Sequence, residues 1–191
     1  MRTFIVVILL LSVLTLVSFA QTTPRTELFG GYSFLRINGN PLPTNFNLHG
    51  WQTSATFNAT SWLGFTADFG GNYGNPEVLN ILGVGVKTKI NTHTFLFGPT
   101  LSYRNKSRWT PFTHALFGLA RGNLSDVSAL GTTVSFSQSD HGFAMAAGGG
   151  VDVHLNKIMT TRLAQVDWVQ TRLFTYTQNH LRVSTGLVFT F

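Results

Sequence analysis

No cysteine occurs in the 191 residues, so disulfides contribute nothing to the stability of this chain. Charge is scarce, with Asp, Glu, Lys and Arg together at 10%. Basic residues outnumber acidic ones 13 to 7, but no Lys/Arg run is dense enough to form a nucleic-acid surface, so nucleic acid is not an expected partner. Beyond residue 20, no apolar run reaches the roughly 20 residues that a membrane-crossing helix requires. What remains is a chain 43% hydrophobic and 13% aromatic. That combination suits a protein whose apolar surface meets lipid through strands rather than helices.

Residues 1–20 read as a secretory signal. Arg2 supplies the positive start, Phe4 to Val17 is almost wholly apolar, and Ser18-Phe19-Ala20 places small residues at the cleavage positions. Cleavage is expected before Gln21, leaving 21–191 as a single domain. The apolar run is short for an uncleaved anchor. The lack of cysteine after Ala20 argues against a lipid-anchored lipoprotein. The basic excess that remains fits either contact with anionic lipid or simple surface bias.

The rest of the chain alternates with a period of two, the signature of strands with one apolar and one polar face. Glu27 to Phe34 is the first predicted strand and His49 to Phe57 the second. In the second, Trp51, Thr53, Ala55 and Phe57 oppose Gln52, Ser54 and Thr56. In the third, Leu63, Phe65, Ala67 and Phe69 oppose Gly64, Thr66, Asp68 and Gly70. After a longer segment, Gly71 to Asn91, the fourth sets Phe95, Phe97, Leu101 and Tyr103 against Thr94, Leu96, Thr100 and Ser102. The fifth is Trp109 to Ala120, followed by a polar loop from Arg121 to Asp140. The sixth is Gly142 to Val153 and the seventh Met159 to Gln170. A loop from Thr171 to Asn179 precedes the final strand, whose Leu181, Val183, Leu187, Phe189 and Phe191 share one parity.

Eight strands thus alternate with long and short connections. This pattern predicts an eight-stranded antiparallel up-and-down transmembrane β-barrel, all-β, with both termini on the short-turn side. Pro99 and Pro111 fall inside predicted strands, where proline removes a ladder donor. A bulge near each, or a strand end at Pro111, is expected. In the seventh strand, strict alternation cannot turn Arg162, Gln165 and Asp167 all inward, but a bulge near Ala164 does so.

Glu27-Leu28-Phe29-Gly30-Gly31-Tyr32-Ser33-Phe34, Trp62-Leu63-Gly64-Phe65-Thr66-Ala67-Asp68-Phe69, Gly148-Gly149-Gly150-Val151-Asp152 and the terminal Phe191 make the chain resemble the small OmpA/OmpX-like outer-membrane β-barrel family. The resemblance spans nearly all of 21–191. It implies insertion by the barrel-assembly machinery, with Leu187, Phe189 and Phe191 as the C-terminal assembly signal. It also implies roles from envelope integrity to adhesion, and no shared catalytic residue or cofactor. No peptidoglycan-binding domain, such as some members carry, is expected here. Outer-membrane lipid, including lipopolysaccharide, and an unknown extracellular ligand are the expected partners.

Inward parity holds Glu27, Asp68, Asp152 and Arg182, joined by Arg162 and Asp167 if the bulge is present. In so narrow a barrel these charges must pair, because unpaired buried charge is costly. Arg162 is expected beside Asp152 and Asp167 beside Arg182, forming a structural plug of ion pairs. Four histidines (His49, His93, His141 and His180) lie near the outer strand ends. The first three take the lipid-facing parity, and alternate strands are about 10 Å apart, too far to share one zinc. Ser139, His141 and Asp126 are the only hint of a hydrolase set, a weak one. The expected function is therefore a non-enzymatic outer-membrane barrel acting through its outer loops. A narrow pore is the first alternative and a lipid A-modifying enzyme the second.

Overall fold

The computed structural model describes residues 24–38, 45–81, 84–105, 107–129, 132–173 and 176–191; the expected signal at 1–20 lies outside them. They form strands β1 (Thr26–Ile37), β2 (Phe46–Asn58), β3 (Leu63–Gly74), β4 (Glu77–Ile81), β5 (Val84–Ser102), β6 (Trp109–Ala129), β7 (Thr132–His154), β8 (Met159–Leu173) and β9 (Tyr176–Thr190). Each main strand pairs antiparallel with its sequence neighbour, and β1 pairs with β9 from Glu27↔Thr190 to Ile37↔His180. A β3–β5 ladder completes the circuit. The result is a closed eight-stranded barrel. β4 is the outer continuation of β3, pairing with β5 beyond the point where β3 stops.

The period of two becomes inside and outside. Gln52, Ser54 and Thr56 are buried in the lumen, while Trp51 and Phe57 are exposed on the outer wall. Tyr32, Phe65, Phe97, Phe117, Phe143 and Trp168 are likewise exposed. Water would penalise so much contiguous apolar surface, and lipid removes the penalty. Trp62, Tyr103, Trp109 and Phe189 ring the short-turn end; Trp51, Phe143 and Trp168 lie higher. Turn chemistry closes the short end. The Thr60 hydroxyl accepts from Leu63 N at 2.9 Å, and the Asn156 side-chain oxygen accepts from Met159 N at 2.7 Å.

The bulge expected near Ala164 is present. Val151 pairs with Ala164 but Asp152 pairs with Arg162, so Leu163 is the extra residue. On the other flank the register changes between Arg162 and Gln165. Leu163 faces outward, while Arg162, Gln165 and Asp167 all enter the lumen.

Pro99 departs from expectation, whereas Pro111 meets the second form of it. At Pro99 the β5–β6 ladder lapses after Phe97↔Phe117 and resumes at Thr100↔His114 in the same register, with no bulge. Pro111 also lies in an unshifted stretch of the β6–β7 ladder, paired with Val151. Its missing donor falls where the β5–β6 pairing ends: its carbonyl accepts from Tyr103 N at 2.9 Å, just past the last residue of β5. A strand end toward β5 thus accommodates it.

The long connections also depart from the sequence reading. Most of Gly71 to Asn91 is strand, and Arg121 to Asp140 is largely the hairpin of β6 and β7, which run to 21 and 23 residues. About 9–11 residues suffice to cross a membrane, so these two strands extend well past that length. Alternation is lost there because neither face is in lipid. Backbone pairing persists without a hydrophobic pattern to announce it. Asp126, which holds a left-handed backbone (φ 52°), is the extra residue of a bulge against β5, and the register to β7 shifts at the same point. Aspartate tolerates that conformation better than most residues.

Candidate functional site

Chemistry concentrates inside the barrel. At its centre Arg182, from β9, is fully enclosed. Its Nε and Nη2 donate to Asp167 Oδ2 at 3.0 and 2.8 Å, and its Nη1 donates to Asp68 Oδ1 at 2.9 Å. Asp68 belongs to β3 and Asp167 to β8, so one guanidinium ties opposite walls together. Gln52 donates to the second oxygen of Asp68. On the far side His114 Nε2 bonds Asp167 Oδ1 at 2.8 Å, and Gln165 Nε2 donates to Asp167 Oδ2 at 2.7 Å.

Gln165 leads to the second arginine. Arg162 Nη1 donates to Gln165 Oε1 at 2.7 Å, while Nε and Nη2 grip both oxygens of Asp152 at 2.8 and 3.0 Å. The forked geometry is the strong form of this pair. Phe29 and Phe112 cover the guanidinium, their ring centres 4.4 and 4.2 Å from Cζ. A third pair closes the short-turn end: Arg104 Nη2 lies 2.5 Å from Glu27 Oε1, with Asn58 bonded to both residues.

Above the ions, two apolar clusters share the lumen with buried polar side chains such as Asn72, Thr92 and His180. Leu96, Leu116, Ala120, Ala144, Ala146, Val169 and Leu173 form one buried cluster; Leu35, Ile37, Phe46, Leu48 and Ile90 form another. Below Arg182, a polar space of about 20 Å³ is lined by Thr66, Thr100, Thr110, Asp152 and Arg162 among others. That is room for about one water.

All six charged residues singled out in the sequence therefore enter the lumen, and five of them join the chain of contacts from Asp68 to Asp152. Glu27 stands apart with Arg104. Sequence reasoning missed Arg104, His114 and Gln52 as members. Arg104 continues the inward parity of Thr100 and Ser102 past the predicted strand end. His114 shares its inward face with Thr110 and Leu116, the signal that could have placed it.

Among the outer histidines, His49, His93 and His141 are exposed on the wall and His180 is buried, bonded to Thr171 at 2.9 Å. Ser139 is exposed on the β7 hairpin, and the Asp126 carboxylate is held by Lys89 at 2.8 Å. Leu187 and Phe189 face outward on β9, and Phe191 follows its end.

No family model matches the chain, and no curated protein matches it. Solved structures do. The attachment invasion locus protein Ail of Yersinia pestis superposes with a TM-score of 0.61 at 14% identity, over 88% of this chain and 100% of that one. OprG of Pseudomonas aeruginosa gives 0.54 at 12% identity, over 88% and 96%. Neisserial surface protein A gives 0.52 at 12% identity, over 90% and 100%. The chain thus has the fold of the small outer-membrane β-barrels, the fold that the resemblance to the OmpA/OmpX-like family implies.

Proposed function

We propose that this chain is an integral protein of a bacterial outer membrane, exported by a cleaved signal and inserted by the barrel-assembly machinery. Its barrel is a sealed, non-catalytic scaffold that presents the β4–β5 and β6–β7 hairpins outside the cell for surface interaction or envelope integrity. The observation that carries this reading is the Arg182 bridge between Asp68 and Asp167, which spans the lumen and fills it with paired charge. Breaking a pair of this kind costs several kcal/mol, on the order of 3–5, so the bridge does not open on its own as a gate. The outward hairpins support an interaction role, because function concentrates on loops held by a rigid scaffold. The fold likeness to a protein named for attachment and invasion agrees with it. Leu187, Phe189 and Phe191 fit an assembly signal as an outward apolar stripe at the barrel's closing strand.

The test is single-channel recording in planar bilayers. The sealed scaffold gives no steady conductance, whereas Arg182→Ala with Asp68→Ala and Asp167→Ala produces discrete openings. Steady conductance from the unmodified protein would replace this reading with the narrow pore.

A further inference from the structure

The barrel's outer wall carries a row of side chains that the lumen network does not use. Ladder registers place Tyr32, Trp51, Gly71, His93, Arg121 and His141 side by side on six successive strands of the barrel. All but Gly71 face outward. Directly opposed residues of antiparallel strands stand about 4.5–5.5 Å apart at Cβ, so His93, Arg121 and His141 form one contiguous polar edge with the Arg121 guanidinium at its centre.

The row is not level. Counted from the short-turn ends of their strands, its members lie 6, 7, 8, 9, 12 and 13 residues up. At about 3.3 Å per residue and a tilt of about 40°, His93 stands about 23 Å above that end, and Arg121 and His141 about 30–33 Å. The apolar band of such a barrel is about 25 Å tall. The aromatic half of the row is therefore inside the hydrocarbon, His93 lies at the upper edge of the band, and Arg121 and His141 emerge at the headgroups of the outer leaflet.

Local contacts hold this arrangement. Gly71 leaves room for its neighbours: a Cβ there would meet the Tyr73 hydroxyl at 2.7 Å and Trp51 Nε1 at 2.9 Å. Trp51 Nε1 donates to Tyr73 Oη at 3.3 Å, and that hydroxyl bonds His93 Nε2 at 3.1 Å. Beside them is an open recess of about 240 Å³, with Trp51, Phe95 and Leu119 as its apolar lining and His93, Arg121 and His141 as its polar rim. No ion pair engages Arg121 among the described residues. Its nearest carboxylate in sequence register, Asp140, opposes Gly122 and takes the other parity.

We infer that this recess is a lipid site: Arg121, with His93 and His141, binds the phosphate of an anionic outer-leaflet lipid whose acyl chain lies on Trp51, Phe95 and Leu119. A guanidinium suits phosphate because its forked donors meet two oxygens at once. The apolar lining selects a lipid over a free anion, since it is continuous with the lipid-facing wall. The inference rests on the membrane-embedded reading above.

The test uses full-length mature protein refolded in detergent, with native mass spectrometry of retained lipid. Three probes are compared: a bis-phosphorylated lipid A, phosphatidylethanolamine and inorganic phosphate. The unmodified protein retains the phosphorylated lipid at least fivefold over phosphatidylethanolamine. Arg121→Gln combined with His93→Gln and His141→Gln removes that preference, while Lys157→Gln at a short turn keeps it. Equal retention by the triple variant, or displacement of the lipid by millimolar inorganic phosphate, would overturn the site. Heat-dependent gel mobility is read on every sample. A folded barrel with no lipid preference sinks the site alone, whereas loss of the mobility shift in the unmodified protein sinks the barrel reading beneath it.

Discussion

Replacing Arg182 with Met keeps most of the side-chain volume and removes the charge. Three charge-assisted hydrogen bonds are lost together, to Asp167 at 2.8 and 3.0 Å and to Asp68 at 2.9 Å. Both carboxylates stay almost wholly buried, with side-chain exposures of 0% and 2%. His114 and Gln165 still serve Asp167, and Gln52 still serves Asp68, but the cation that compensated both is gone. Stranding buried charge in this way costs about 3–5 kcal/mol. With a urea slope near 2 kcal/mol/M, the unfolding midpoint in detergent should fall by about 2 M. Emission from the four outward tryptophans, Trp51, Trp62, Trp109 and Trp168, reports the transition. The informative comparison is the triple variant Arg182→Met, Asp68→Asn, Asp167→Asn. Removing the stranded charges should restore at least half of the loss, because the penalty lies in the unpaired ions rather than in missing contact. A single variant within about 0.5 kcal/mol of the unmodified protein, the ordinary scatter of surface changes, would refute the reasoning. So would a triple variant no more stable than the single.

Arg162→Ala should lower the same midpoint by a comparable amount, since it strands Asp152 and uncovers Phe29 and Phe112. An unchanged midpoint would count against the plug. Deleting Leu163 removes the bulge and brings Arg162 and Gln165 onto one parity two residues apart, so Arg162, Gln165 and Asp167 all stay inward and the variant should still give a heat-modifiable band. Loss of that band would show that the bulge geometry itself is required. Ser139→Ala should leave the lipid A mass profile of expressing cells unchanged from that produced by the unmodified protein. A mass change present with the unmodified protein and lost in this variant would revive the enzyme.

How much could be read from residues alone depends on where each segment sits. Within the lipid band, every second residue must be apolar, so Trp51 through Phe57 and Leu63 through Phe69 declare their faces without ambiguity. The bulge at Leu163 was legible for the same reason: leaving Gln165 and Asp167 in lipid is too costly to accept. Beyond the band that constraint disappears. Arg121 to Asp140 therefore looked like loop, although backbone pairing carries it as strand. Pro99 misled because a sequence shows the lost donor but not whether the ladder can pass over it in register. Neighbouring-strand pairs such as Arg162 with Asp152 follow from counting along adjacent strands. The cross-lumen bond from Arg182 to Asp68 does not, since it depends on shear around the whole barrel. His114 and Arg104 stayed hidden because inward parity was not followed through β6 or past the end of β5.

The most direct test of a membrane barrel is fractionation of expressing cells followed by gel migration with and without boiling. The protein should enrich in the outer-membrane fraction and run faster unboiled, as a closed barrel that survives detergent. Recovery in the soluble fraction with identical mobility before and after boiling would contradict the account.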